Sequence, residues 1–266
     1  MRKATIALLS TALLGVWPPA KLAAVRFFIA PPTVNLEAVP GGMQTRVLNV
    51  TNADSGRTLH LKAYAGDWDL NDKNETVFSK AGTTNRTCAS WIEINPVDFE
   101  VKPRSDAAVR FTLVMPDTAV GSHWAVIFFE SLPESLPPLG GMGINLQARV
   151  GAMIFADALG TLERKVEIAG LGYRRKGYQN HDFTVRLVNR GNAYVRPKGT
   201  VIIRSAENKD ILRAPLTEGV LLPGRQRDYL VSVKAVIPPG NYNLVVEVDC
   251  GLAEILQGEI AFTVTQ

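Results

Sequence analysis

Beyond residue 25, no window of the chain repeats apolar residues at i, i+3, i+4 and i+7. Short β-branched segments that alternate apolar with polar residues recur instead, each bounded by turn residues. Such a chain has no helical stripe to bury and must close its apolar rows by stacking sheets. Thr33 to Val39 is the first segment, entered through Pro31-Pro32, where a missing N–H is tolerated at a strand start. Thr45 to Thr51 alternates and ends in the turn cluster Asn52 to Gly56, and Thr58 to Trp68 places Leu59, Leu61, Ala63 and Ala65 on one face. Residues 70–87 are polar and rich in Asn and Thr, and read as a long loop. Trp91 to Ile94, Phe99 to Val101, Ala108 to Val114 and His123 to Phe129 read as further strands. A Pro/Gly-rich loop, Ser131 to Gly143, and a long strand, Ile144 to Ala156, complete the first half.

The pattern breaks at Asp157 to Thr161 and restarts. Val166 to Leu171, Phe183 to Asn189, Gly199 to Arg204, Val220 to Leu222, Tyr229 to Val233, Tyr242 to Val248 and Glu259 to Val264 form a second set, with turn chemistry at 189–192 and 238–241. Two sets of about seven or eight strands, each in about 105–135 residues, fit an all-β chain of two tandem immunoglobulin-like β-sandwich domains, 25–160 and 161–266. Each half holds one cysteine, Cys88 and Cys250, so the intra-domain disulfide of antibody domains is absent; a bridge between the halves would need their Cα atoms within about 7 Å.

Residues 1–24 read as a signal peptide. Arg2 and Lys3 precede a mostly apolar run from Ala4 to Trp17, and small residues follow Pro18-Pro19. The run is shorter than the roughly 20 residues that span a bilayer, so the expected product is exported and soluble, in the periplasm or its equivalent. Cleavage after Ala24 removes Arg2, Lys3 and Lys21 and lowers the formal charge from +4 to +1. The remainder is split, −3 over 25–160 and +4 over 161–266, which leaves little basis for a nucleic-acid partner. Arg174-Arg175-Lys176 is the one tight basic cluster and reads best as a solvated turn. Asn49, Asn74 and Asn85 head Asn-x-Ser/Thr triplets that matter only in a eukaryotic secretory pathway.

Catalytic chemistry finds no support. His60, His123 and His181 are isolated, so no metal-ligand spacing arises, and no nucleophile elbow, phosphate loop or Cys-x-x-Cys is present. Asp67 and Asp69 share a strand face and could pair as acid and base, but beside a strand end they read as solvated surface acids. Cys88 lies in a polar stretch without a local base. The expectation is a protein that is not an enzyme and has no cofactor.

The informative segment is 131–156. Met142, Ile144, Leu146, Ala148 and Val150 project to one face of a strand that follows a Pro/Gly-rich loop. Such a row can pack inside its own sandwich, or it can complete another chain by β-strand addition.

Several stretches resemble periplasmic pilus-assembly chaperones of the PapD-like superfamily. They are Trp91 to Pro96 with Phe99 to Pro103 and Val109-Arg110-Phe111; Pro116-Asp117 and Ser122 to Ser131; Gly143 to Arg149; and, in the second half, Arg186 to Asn192 with Arg196 to Gly199. The resemblance implies two immunoglobulin-like domains behind a signal peptide. It also implies a client-binding strand carrying Met142, Ile144, Leu146 and Ala148, an exported pilin-like or other subunit as partner, and an outer-membrane assembly protein as a further one. The family holds its client's terminal carboxylate with an Arg on the first strand and a Lys on the donor strand. Those positions fall between Pro32 and Leu36 and at Gly151, where this chain has no cation, leaving Arg149 as a displaced anchor. The alternative is a structural or adhesive envelope protein built of the same sandwiches.

Overall fold

The structure, a computed structural model, describes residues 26–139 and 142–265, with the backbone alone for 134–139 and 142–144. The expected signal peptide, 1–24, lies outside the described residues. Twelve strands precede residue 160: β1 (Phe27–Ala30), β2 (Thr33–Ala38), β3 (Met43–Asn52), β4 (Leu59–Leu70), β5 (Thr76–Ser79), β6 (Ile92–Asn95), β7 (Asp98–Val101), β8 (Asp106–Val114), β9 (Gly121–Ser131), β10 (Glu134–Leu139), β11 (Met142–Leu146) and β12 (Arg149–Ala158). Seven follow: β13 (Val166–Arg175), β14 (Asn180–Asn189), β15 (Lys198–Ser205), β16 (Asp210–Pro215), β17 (Gln226–Lys234), β18 (Gly240–Asp249) and β19 (Leu256–Val264).

In the first sandwich a β1-β3-β8-β6 sheet faces a β2-β12-β9-β4-β5 sheet, with β7 also on β4. This is the immunoglobulin strand order, with the first strand divided between the sheets at Pro31-Pro32. The period-2 alternation read from sequence supplies the core: Leu48, Val109 and Phe111 of one sheet meet Leu61, Ile127, Phe129 and Ile154 of the other. In the second sandwich β13-β14-β17 faces β16-β15-β18-β19 around Phe183, Val185, Leu187 and Tyr229 on one side and Val201, Ile203, Leu244 and Val246 on the other.

Strand β9 explains why the run Trp124 to Phe129 is almost continuously apolar, for it is buried on both faces. Ala125, Ile127 and Phe129 enter the first core, whereas Trp124, Val126 and Phe128 join Trp68, Leu70 and Phe155 in an outer layer that also holds Leu222 of the second sandwich. The indoles satisfy each other's strands: Trp68 Nε1 donates to Ala125 O at 3.0 Å and Trp124 Nε1 to Trp68 O at 2.9 Å. Around this apolar contact lies a polar elbow. Ser122 N donates to Asn192 O (2.9 Å), Tyr194 N to Ser122 Oγ (3.1 Å) and Tyr194 Oη to Asn35 Oδ1 (3.1 Å). Arg225 pairs with Asp69 at 3.0 Å.

Several elements depart from the sequence reading. The loop expected over 70–87 contains β5, an edge strand on the end of β4 whose polar flanks hide it. Ala89–Trp91 forms a 3₁₀ turn where a strand was expected to begin. The expected loop 131–143 contains β10, and the long strand 144–156 is two strands, β11 and β12, parted at Gln147-Ala148. β1 and β16 fall outside the expected strands, and Val220 to Leu222 contributes only an isolated bridge, Leu221 to Val195.

Burial disfavours the charged form of two histidines. His123 lies against Trp91 with ring centroids 4.4 Å apart, and neither ring nitrogen makes a well-formed hydrogen bond among the described residues. Burial, and then Arg86, lower its pKa. His181 accepts or donates at Nδ1 to Tyr173 Oη (2.9 Å), and burial lowers its pKa also. The unfolded chain would protonate both near pH 6.5 while the folded chain resists, so folding stability should be full above that pH and fall as pH drops below it. Urea titrations between pH 7 and 5 should show this loss, and His123→Phe should reduce it. The elbow makes a second prediction. Gly121 has φ +79°, and a Cβ there would lie 2.5 Å from Asn192 O. Gly121→Ala should therefore lower stability by about 1–3 kcal/mol in thermal or urea unfolding.

Candidate functional site

Strand β12 is paired along its whole length on one side and along only part of it on the other. Its antiparallel ladder with β9 runs from Arg149↔Glu130 to Ala158↔Gly121, whereas the parallel ladder with β2 begins only at Met153↔Thr33. Proline sets that limit. Met153 N donates to Pro32 O at 2.9 Å, but Pro31 and Pro32 carry no N–H with which to extend the ladder toward Gly151. Ala30, just before them, is directed to Asn49 of β3 in the opposite sheet. Ser131 N donates to Ala148 O (2.9 Å) just before β12, and by alternation the even residues of β12 bond β9. Arg149 and Gly151 therefore aim their backbone N–H and C=O away from β9, at an edge that no described strand occupies.

The edge continues into an arm. β10 and β11 pair antiparallel, Glu134↔Leu146 through Leu139↔Met142, with a register shift between Leu136 and Leu139, and no other described strand pairs β11. The arm is tied at its base: Ala148 N donates to Ser131 Oγ (3.0 Å), and Gln147 Nε2 to Glu130 Oε1 (2.6 Å) and Ser131 O (3.1 Å).

The sequence-predicted row divides here. Ala148 and Val150 pack against the first core, and Leu146 is half-buried. The side chains of Met142 and Ile144 lie outside the described residues. Arg149, on the opposite face, is exposed; its guanidinium carbon lies 4.6 Å from the Phe128 ring centroid and Nη1 3.5 Å from Tyr64 Oη. That hydroxyl contact raises the Arg149 pKa, so its cation is secure at any physiological pH. Tyr64 Oη itself donates to Glu130. Gly151, where the resemblance places a lysine, cannot carry a side chain without movement, because a Cβ would sit 2.7 Å from Val126 Cγ2. Between Pro32 and Leu36, Val34 and Leu36 are buried and Asn35 receives Tyr194, so that stretch supplies no cation.

The other residues singled out in the sequence have structural partners. Asp67 is a correction: it is fully buried, accepting from Thr83 N (2.7 Å), Thr84 N (2.8 Å) and Thr87 Oγ1, and pins loop 80–88 to β4 instead of facing solvent. Cys88 is likewise buried in the first core and Cys250 in the second, and both are free thiols. Burial pushes the Cys250 thiol up to about 11 and Cys88 higher still, which makes both poor nucleophiles. Within the basic cluster, Lys176 (2.6 Å) and Arg174 (3.6 Å) pair with Asp182, and Arg175 bonds Thr265 O. His60 lies between Asp98 and Glu100 on the surface. Among the described residues no group of three or more His, Cys, Asp or Glu side chains could hold a metal.

No family model matches the chain, and no curated protein matches it. Among solved structures it is similar to the Class 5 fimbriae chaperone CfaA, with 13% identity over 91% of this chain and 100% of that one and a TM-score of 0.49. It is similar also to the E. coli chaperone DraB (14%, 91% and 98%, TM-score 0.43) and to a chain of the Salmonella enterica SafA pilin–SafB chaperone complex (12%, 91% and 98%, TM-score 0.44).

Proposed function

We propose that the protein is an exported chaperone that binds an envelope or pilus subunit by β-strand addition, the subunit's chain pairing with the open half of β12 and with β11. The observation that supports this reading is the unpaired edge at Arg149 to Ala152, which continues into the projecting β10–β11 ribbon. An added strand would satisfy the outward backbone groups of Arg149 and Gly151. It would also lie beside Ala148 and Val150, which already border the first core. Met142, Ile144 and Leu146 would supply the apolar row to the partner, and Arg149 would attract a carboxylate there. In this reading an outer-membrane assembly protein takes over the subunit, and no cofactor or nucleic acid takes part.

The edge is formed by backbone, so its use is tested through the side chains that accompany it. Ile144→Asp and Leu146→Asp should each remove a small co-purifying chain from the native envelope while leaving circular dichroism and unfolding unchanged. Full retention of that chain by the double variant would refute the arm as the binding strand.

A further inference from the structure

The aromatic outer face of the first sandwich extends beyond the area that the second sandwich covers. Trp68, Trp124 and Phe155 are capped by Leu222, Val220 and Tyr194, whereas the same sheet, further toward the arm, presents an open groove of about 430 Å³. Phe128 is its floor. The ring lies low because glycines flank it on both neighbouring strands: a Cβ on Gly66 would sit 2.9 Å from Phe128 Cε2, and one on Gly151 3.2 Å from Phe128 Cδ1. Tyr64 and Phe78 form the walls, with centroids 5.5 and 5.2 Å from that of Phe128, and both are more than a third exposed.

The rim is cationic. Arg149 stands over Phe128 and Lys80 lies on the other side, while Glu130 is already engaged by the Tyr64 hydroxyl and the Gln147 amide. Arg149 and Lys80 have no carboxylate within 4 Å among the described residues, although Glu130, opposite Arg149 in register, adds to the attraction that holds the guanidinium charged. An apolar aromatic floor under two such cations favours an occupant with an apolar body and a carboxylate.

Register specifies where that occupant comes from. Arg149 and Gly151 offer their backbone to the open edge and lie on the Phe128 face of β12, at the end of the groove remote from Phe78 and Lys80, so the residues paired with them on an added strand would point to the same side. We infer that the β12 end of this groove, Arg149 together with the Phe128 ring beside Gly151, reads the outward face of the added strand, selecting a carboxylate opposite Arg149 and a bulky apolar side chain opposite Gly151. The inference rests on the strand-addition reading and adds a sequence preference to it. A ring opposite Gly151 meets no side chain on β12 and can lie across the glycine against Phe128.

The test uses the full mature chain and three dye-labelled heptapeptides whose order reads the same in either strand direction. These are Val-Glu-Val-Phe-Val-Glu-Val, its Lys-for-Glu form and its Gly-for-Phe form, titrated by fluorescence anisotropy. The Glu/Phe peptide should bind about fivefold tighter than either of the others. Arg149→Glu should reverse the Glu-over-Lys preference, and Phe128→Leu, which keeps apolar volume but removes the ring, should weaken the Phe-over-Gly preference. Equal binding of all three peptides, unchanged by Arg149→Glu, would overturn the groove as a selector and leave strand addition standing. Failure of every peptide to bind would count against strand addition itself, and the inference would fall with it.

Discussion

An amide that proline lacks decides where the sheet ends. At Pro31-Pro32 the first strand passes from one sheet to the other, and the ladder beside β12 can begin only at Met153, whose N–H finds Pro32 O at 2.9 Å. On one side of that point β12 is an interior strand, buried and fully paired. On the other it is an edge, and the ribbon β10–β11 prolongs the edge beyond the sandwich. Exposed edges invite pairing with other chains, and proteins usually blunt them with charge, bulges or short length. Here the break at Gln147-Ala148 and the charge of Arg149 limit the edge without closing it.

The rest of the fold keeps that edge in place. β9 carries apolar residues on both faces because it lies between the first core and the layer that joins the second sandwich. Ser122 at its start binds Asn192 and Tyr194, and Ser131 at its end binds Ala148 at the root of the arm. One strand thus ties the elbow between the sandwiches to the base of the ribbon. A partner lying along β12 would therefore meet a surface whose shape is already set, at little cost in ordering the protein.

Much of this was legible in the sequence. Alternation at Leu59, Leu61 and Ala63, and at Phe183, Val185 and Leu187, identifies inward rows that the two cores use. The row from Met142 to Val150 falls on β11 and the start of β12, but periodicity carries no information on whether the far side of a strand is paired. That depends on Pro31-Pro32, more than a hundred residues away. Asp67 was misread for a related reason: the amides of Thr83 and Thr84 that bury it come from a loop whose course the local pattern does not encode. β5 and β10 were hidden by polar or proline-rich composition and exist because a neighbouring strand offers them a ladder. The groove over Phe128 was invisible too, since it needs Gly66 and Gly151 on the two strands that flank the ring.

The open half-edge is the claim on which the account depends, and amide hydrogen exchange resolved to single residues measures it directly. In the isolated protein the amides of Arg149 and Gly151 should exchange much faster than those of Ala152, Met153 and Phe155 on the same strand, and should become protected when a partner chain is bound. Slow exchange at Arg149 and Gly151 without a partner, equal to that of Met153, would mean that the edge is already filled and would contradict the account.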